Sequence, residues 1–187
     1  MLTPEADPVR KVSIIPRGQA LGVTLSTPDS DRVSYTREEL EAKIRVSLGG
    51  RVAEELVYGK ITTGAESDIQ QLTQIARQMV GRWGMSDKLG PITLSPSDGA
   101  GPSLLPGASE TSPQTQWLVD EEVRQLVEDA HAEVTKLLTL HRDRLDSLSH
   151  ALLAAETLDA PDAYAAASIP MHAVEPAPES EPALSLT

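Results

Sequence analysis

The sequence contains no cysteine and no phenylalanine, and aromatic residues make up only 3% of its 187 positions. Without cysteine, the chain has neither a disulfide framework nor a thiolate metal site. Without phenylalanine, the core has to be built from aliphatic side chains, chiefly Leu, Val, Ile and Ala. A chain of this length can bury a sizeable core, and one domain with appendages is the expected organisation.

Basic residues are also scarce, because 16 Lys and Arg stand against 28 Asp and Glu, for a formal charge of −12. Nucleic acids and anionic membrane surfaces bind basic patches, so we expect neither as a partner. No stretch approaches the about 20 apolar residues of a membrane span, and the N-terminus lacks a signal-peptide pattern. These absences predict a soluble, cytoplasmic chain.

Apolar residues recur along three long stretches with the spacing of helices that bury one face. The first predicted helix opens at Thr36 and Glu39, which have the spacing of a capping box, and ends at Gly59. Gly49-Gly50 in its middle cost about 1 kcal/mol each relative to Ala, so we expect a kink or a close helix contact there. The last stretch predicts two helices with a break near His141.

Two short extended runs, 9–15 and 21–25, predict an antiparallel hairpin with Gly18 in its turn, and Asp159 or Asp162 is placed to cap a last short helix. The sequence therefore predicts a mostly α fold with a small β-hairpin. Its predicted parts are a leader (1–8), a core of one hairpin and two helices (9–94), a Ser-, Gly- and Pro-rich flexible insertion (95–112), a C-terminal helical part of the same domain (113–168) and a disordered tail (169–187).

The second helical stretch carries the residue on which the functional argument depends. Thr63 and Glu66 have capping-box spacing, so we expect a helix to begin there and to reach Gly84. On a helical wheel Asp68 lies inside the apolar arc of this helix, where a carboxylate costs several kcal/mol unless something pairs with it. Two explanations are open: the helix dipole stabilises a first-turn anion, or Asp68 is a metal ligand.

Four blocks of sequence then stand out together. They are Ile14-Ile15-Pro16-Arg17-Gly18 with Ala20-Leu21-Gly22, Leu48-Gly49-Gly50-Arg51-Val52-Ala53-Glu54-Glu55-Leu56, Thr62-Thr63-Gly64-Ala65 with Asp68, and Gly84-Met85-Ser86 with Leu89-Gly90-Pro91. In their order and near their spacing they resemble the FtsH family of ATP-dependent zinc metallopeptidases. The resemblance covers residues 6–94 and resumes between 120 and 159.

The resemblance implies an FtsH-type helical peptidase domain whose zinc is held by a His-Glu-x-x-His motif and by an aspartate further along. The motif works because residues four apart share one helix face, so both imidazoles reach one metal while the Glu activates its water. Asp68 matches the third ligand, whereas the printed sequence contains no His-Glu-x-x-His. We therefore expect no catalytic residue in this chain, Asp68 as its metal ligand, and no zinc bound by the chain alone.

Other residues offer weaker candidates. Glu54 and Glu55 are adjacent acids, but neighbouring helix positions point about 100° apart, so a solvated face is the simpler reading. The histidines are ten or nine positions apart within the helical stretches, which does not put two on one helix face. These histidines are His131, His141 and His150, with His172 in the tail.

Two functions of different classes follow. In the first, the chain is the C-terminal part of an ATP-dependent zinc metalloendopeptidase that acts on polypeptides, and the two histidines and catalytic Glu lie elsewhere. In the second, it is a non-catalytic interaction or oligomerisation module derived from that scaffold. No Gly-x-x-x-x-Gly-Lys pattern occurs, so we expect no ATP site in this chain.

The absence of the motif also predicts partners. The motif helix normally packs on the domain, so we expect an uncovered apolar surface around Ile69, Leu72 and Ile75, next to Asp68. Self-association, or a chain that carries the motif helix, would cover that surface. The first extended run could also offer a sheet edge to a substrate peptide.

Overall fold

The computed structural model of the protein describes residues 1–16, 18, 21–28, 34–94 and 111–171. Within these residues the fold is mostly helical with a small antiparallel sheet, as the sequence predicts. Most of the predicted flexible insertion and disordered tail lies outside the described residues. The elements are β1 (Val9–Ser13), β2 (Val23–Ser26), α1 (Arg37–Tyr58), a 3-10 turn (Thr63–Ala65), α2 (Glu66–Gly81), α3 (Pro113–Leu140), α4 (Arg142–Ala155), β3 (Thr157–Asp159) and α5 (Ala160–Ala166).

The chain divides into two compact units. One contains the three strands and α5, and the other contains α1, α2 and α3. Helix α4 belongs to the helical unit up to Leu145 and to the sheet unit from Asp146 onward. In the described part of the chain, no helix is both long enough and apolar enough to cross a membrane.

The sheet unit has the strand order β2-β1-β3, with both pairs antiparallel. The predicted hairpin is confirmed as β1 and β2, while β3 was not predicted. Val12 of β1 lies opposite both Thr24 and Leu158. At the end of β1, the hydroxyls of Ser13 and Thr157 are 2.7 Å apart and hydrogen-bonded, which joins the two ends of the chain in one sheet.

Helix α1 begins and ends where the sequence predicts. The Thr36 hydroxyl accepts a hydrogen bond from the Glu39 N–H, and the Glu39 carboxylate accepts one from the Thr36 N–H at 2.8 Å. At the other end Gly59 adopts φ +62°, a left-handed conformation that glycine reaches without strain, and its N–H bonds to the Glu55 carbonyl. The predicted break is confirmed too, because α3 ends at Leu140 and α4 begins at Arg142.

The core of the helical unit is aliphatic, as a chain without phenylalanine requires. Helix α1 packs against both α2 and α3, and α2 packs against α3. The buried members of this core are Leu40, Ile44, Leu48 and Val52 from α1, Leu72, Ala76, Met79 and Val80 from α2, and Val123, Ala130 and Val134 from α3.

One sequence expectation about packing is wrong. Leu72 is only 1% exposed, and Ile69 and Ile75 are half-buried against the core, so the expected uncovered surface is not there. The reason is that α2 is covered by α1 and α3 together. At Gly49 and Gly50 the structure shows no close helix contact, since apart from chain neighbours and the backbone of α1 itself no described atom lies within 4 Å of where a Cβ would stand. The alternative of a kink stays a prediction.

The segment after α2 folds back on the end of that helix. A Cβ on Gly84 would lie 2.7 Å from the Cα of Pro91, and Gly84 has φ +64°, so only glycine fits. The Leu94 N–H then donates to the Gly81 carbonyl at 2.7 Å, and the Thr111 hydroxyl donates to the Leu94 carbonyl at 3.2 Å. Ser112 next caps α3 by accepting from the Thr115 N–H.

One carboxylate fastens this segment to α3. The Glu122 side chain, 13% exposed, accepts the Ser86 hydroxyl at 2.8 Å and pairs with the Lys88 ammonium at 2.6 Å. Burial pushes the pKa of Glu122 upward, but the hydrogen bonds from Lys88 and Ser86 and the Lys88 charge outweigh it, and the pKa is lowered from 4.5.

Because its pKa is lower in the folded than in the unfolded chain, Glu122 stabilises the fold above its unfolded pKa and loses that contribution as the pH falls through the folded value. We expect Glu122→Gln to cost about 1 kcal/mol at pH 7 and to flatten the loss of stability below pH about 4.5. Urea unfolding across pH 3 to 7 measures both effects. Glu121→Gln is the matched control, since Glu121 pairs with Arg124 on the same exposed helix surface; equal behaviour of the two variants would contradict the prediction.

Candidate metal-ligand site

The predicted capping box of Thr63 and Glu66 at the start of helix α2 is wrong. Thr62, not Thr63, provides the cap: its hydroxyl accepts from the Gly64 N–H at 3.2 Å and starts the 3-10 turn. Helix α2 then begins at Glu66, with Ala65 as an N-cap that has no side-chain hydrogen bond. The Glu66 carboxylate instead accepts from the Gln70 side chain one turn later.

Asp68 is the third residue of α2 and is half-buried. Within the described part of the chain, its carboxylate takes part in no hydrogen bond or ion pair. The first turn carries two acids, Glu66 and Asp68, where the free N–H groups and the helix dipole favour negative charge. Asp68 thus lies at a helix start where none of the described residues forms an ion pair with this half-buried acid.

Glu54 and Glu55 face different elements, as their adjacent helix positions require. The Glu54 carboxylate accepts the Thr62 hydroxyl at 3.0 Å, in front of α2. The Glu55 carboxylate lies 3.5 Å from Nε2 of His131 on α3. The two acids do not form an acid–base pair.

The histidines are spread over α3 and α4. His131 lies beside Glu55, His141 is the half-buried C-cap of α3, and Nδ1 of His150 is 2.7 Å from the Asp146 carbonyl. His172 lies outside the described residues.

The described residues do not form a complete zinc site. A catalytic zinc needs three protein ligands, commonly His, Asp, Glu or Cys. Among the described ranges, no group of three such side chains is close enough to hold one metal ion. Among the described residues, Asp68 is therefore not part of a complete set of three ligands.

Comparison with known proteins identifies the class to which this arrangement belongs. The chain belongs to peptidase family M41, whose family model matches residues 1–165. It is similar to three proteins of the FtsH type, each named an ATP-dependent zinc metalloprotease. These are FtsH 3 of Conexibacter woesei (68% identical over 90% of this chain), FtsH of Thermobaculum terrenum (52% over 85%) and FtsH of Syntrophus aciditrophicus (52% over 82%).

The same matches cover only 22%, 25% and 21% of those relatives, respectively. The chain thus spans about a fifth to a quarter of the length of the proteins it resembles. The family resemblance seen in the sequence is confirmed, and with it the helical peptidase type. The role of Asp68 as a zinc ligand stays a prediction.

The Asp68 environment gives a direct stability test. We expect Asp68→Asn to change the free energy of unfolding by less than about 0.3 kcal/mol, because no hydrogen bond or ion pair of the described residues is lost and asparagine keeps a capping oxygen. Urea unfolding measures this, with Glu66→Gln as the first-turn control. A loss near 1 kcal/mol would show that Asp68 is there to stabilise the helix start through its dipole.

Proposed function

We propose that this chain is the part of an ATP-dependent zinc metalloendopeptidase that supplies the aspartate ligand, Asp68. The two histidine ligands and the catalytic glutamate are contributed by polypeptide beyond these 187 residues, on the same longer chain or on a partner. The ATP dependence likewise belongs to polypeptide outside them.

One observation carries this proposal. A half-buried carboxylate stands at the start of α2 without a partner among the described residues. By its resemblance to the FtsH family, Asp68 corresponds to the third zinc ligand. A metal would provide the missing compensation for such an acid. The high identity to proteins named zinc metalloproteases supports this use of the position.

The second candidate, a non-catalytic interaction module, is favoured by one fact: the described residues bring no three potential ligands together. Under this function Asp68 has no metal to bind in any assembly. The predicted self-association fits either function, and the cytoplasmic location stays a prediction.

We further propose that the sheet binds the polypeptide substrate at β2. The edge expected on the first extended run is wrong, because β1 lies between β2 and β3. Strand β2 instead lies at an edge of the sheet, and all four of its residues are exposed. Val23 and Leu25, two positions apart, present apolar side chains on one face. An extended peptide can add to such an edge by main-chain hydrogen bonds while its side chains contact that face.

The zinc prediction distinguishes the two functions. We expect the purified chain to carry no stoichiometric zinc and not to cleave unfolded casein. Adding a separate segment that carries a His-Glu-x-x-His motif should create zinc binding. Asp68→Asn should weaken it by more than the about 10- to 100-fold that loss of an outer-shell partner costs.

Zinc content by mass spectrometry of native complexes measures each case, with Glu66→Gln as the control. One tightly bound zinc in the chain alone would contradict the need for a second segment. If the complex binds zinc equally well with Asp68→Asn, the assignment of Asp68 as a zinc ligand is contradicted. No zinc in any combination would favour the interaction module.

The edge prediction uses a pair of charge substitutions. Lysines at an exposed strand edge oppose the addition of another strand, so Val23→Lys with Leu25→Lys should abolish binding of fluorescent unfolded casein, measured by anisotropy. Val46→Lys with Val57→Lys, on exposed positions of α1, is the control and should bind like the parent. Equal binding by both double variants would rule out β2 as the binding edge.

A further inference from the structure

The start of α2 depends on the turn before it. Its N-cap, Ala65, contributes no side-chain hydrogen bond, so the four free N–H groups of the first turn have no cap of their own. Two hydrogen bonds order the preceding 3-10 turn: the Gly64 N–H bonds to the Thr62 hydroxyl, and the Glu66 N–H bonds to the Thr63 carbonyl. The position of Asp68, two residues further on, is set by this turn.

The side chain of Thr62 attaches this 3-10 turn to α1. The Thr62 hydroxyl accepts from Gly64 and donates its proton to Oε2 of Glu54 at 3.0 Å. A Cβ on Gly64 would lie 3.3 Å from the Thr62 hydroxyl oxygen, which is tight, and 3.7 Å from Oε1 of Glu54, which is an ordinary contact, so a side chain here would press on the Thr62 hydroxyl. Hydrogen bonds with an ionised partner are the stronger kind.

Glu54 is well placed to act as an anchor. It lies in α1 two residues after Val52, which is 1% exposed in the core, and two before Leu56, which packs against the core. Because the core holds this part of the helix in place, the Glu54 carboxylate can hold the Thr62 hydroxyl in a fixed position. Glu55, its neighbour, faces His131 instead and has no part in the turn.

We propose that Glu54 is a positioning residue for Asp68: through the Thr62 hydroxyl it fixes the turn from which α2 starts, and so holds the aspartate ligand in place. The inference rests on the proposed function, in which Asp68 binds zinc. Glu54 itself is not a ligand in this proposal. Its effect passes through the Glu54–Thr62–Gly64 chain of hydrogen bonds.

Amide hydrogen exchange of the chain, followed by NMR, tests the positioning without any metal. In Glu54→Ala the Gly64 and Glu66 amides should exchange about fivefold faster than in the parent, the change expected from losing one hydrogen bond. Glu54→Gln should restore the slow exchange, because its amide oxygen also accepts the Thr62 proton. Glu55→Ala is the matched control and should leave both amides unchanged.

Thr62→Val removes the hydroxyl and keeps the shape of the side chain. Combined with Glu54→Ala, it should exchange no faster than Thr62→Val alone, because Glu54 acts on the turn only through the Thr62 hydroxyl. The Ala76 and Val80 amides report on the whole core and should not change in any variant. Three results would overturn the proposal. Exchange at Gly64 and Glu66 could be unchanged in Glu54→Ala, or it could stay fast in Glu54→Gln. It could also rise in Glu55→Ala as much as in Glu54→Ala.

The link to the metal is tested separately in the complex with the His-Glu-x-x-His segment. Glu54→Ala should lower zinc affinity by about 10- to 100-fold, as expected for a residue that positions a ligand, and Glu54→Gln should retain it. Unchanged zinc affinity in Glu54→Ala, alongside faster exchange, would overturn the role toward Asp68. A complex that binds no zinc in the parent form refutes the proposed function instead, while the exchange experiment still decides whether Glu54 fixes the turn.

Discussion

The burial of aliphatic side chains between α1, α2 and α3 is the constraint on which the helical unit depends. The largest fully buried residues are Ile44, Leu48, Leu72, Met79 and Val52, and none is aromatic. Such a core gains its stability from close packing of many small contacts rather than from a few large rings. Removing one buried leucine from it should cost about 2 to 5 kcal/mol, a large share of the stability of a small domain.

The sequence predicts α1 to the residue because every signal for it is local. The capping box at Thr36 and the left-handed Gly59 both lie within one turn of the helix ends. The start of α2 is different: the spacing to Glu66 favours Thr63 as the cap, whereas in the structure Thr62 caps the 3-10 turn and also donates to Glu54 of another helix. A tertiary contact of this kind has no signature in a single stretch of sequence.

The missed strand and the misjudged surface have the same origin. Strand β3 has three residues, too few for an alternating pattern, and it exists because β1 pairs with it from the other end of the chain. The apolar residues around Leu72 belong to a face that α3 helps to cover. Helical periodicity predicts such a face but not which element packs against it. The position of Asp68 at a helix start was predictable, whereas its lack of a partner among the described residues required the structure.

The hydrogen bond between Thr111 and Leu94 has a consequence for how this family can vary. The two ends of the stretch 95–110 are held together, and α3 begins with its own cap at Ser112 and a proline that is preset for a first helical turn. The entropy of closing a loop grows only with the logarithm of its length, so each doubling costs about 0.6 kcal/mol. Because Leu94 and Thr111 contact each other directly, a reporter domain or an affinity tag inserted between them should leave the end of α2 and the start of α3 in place.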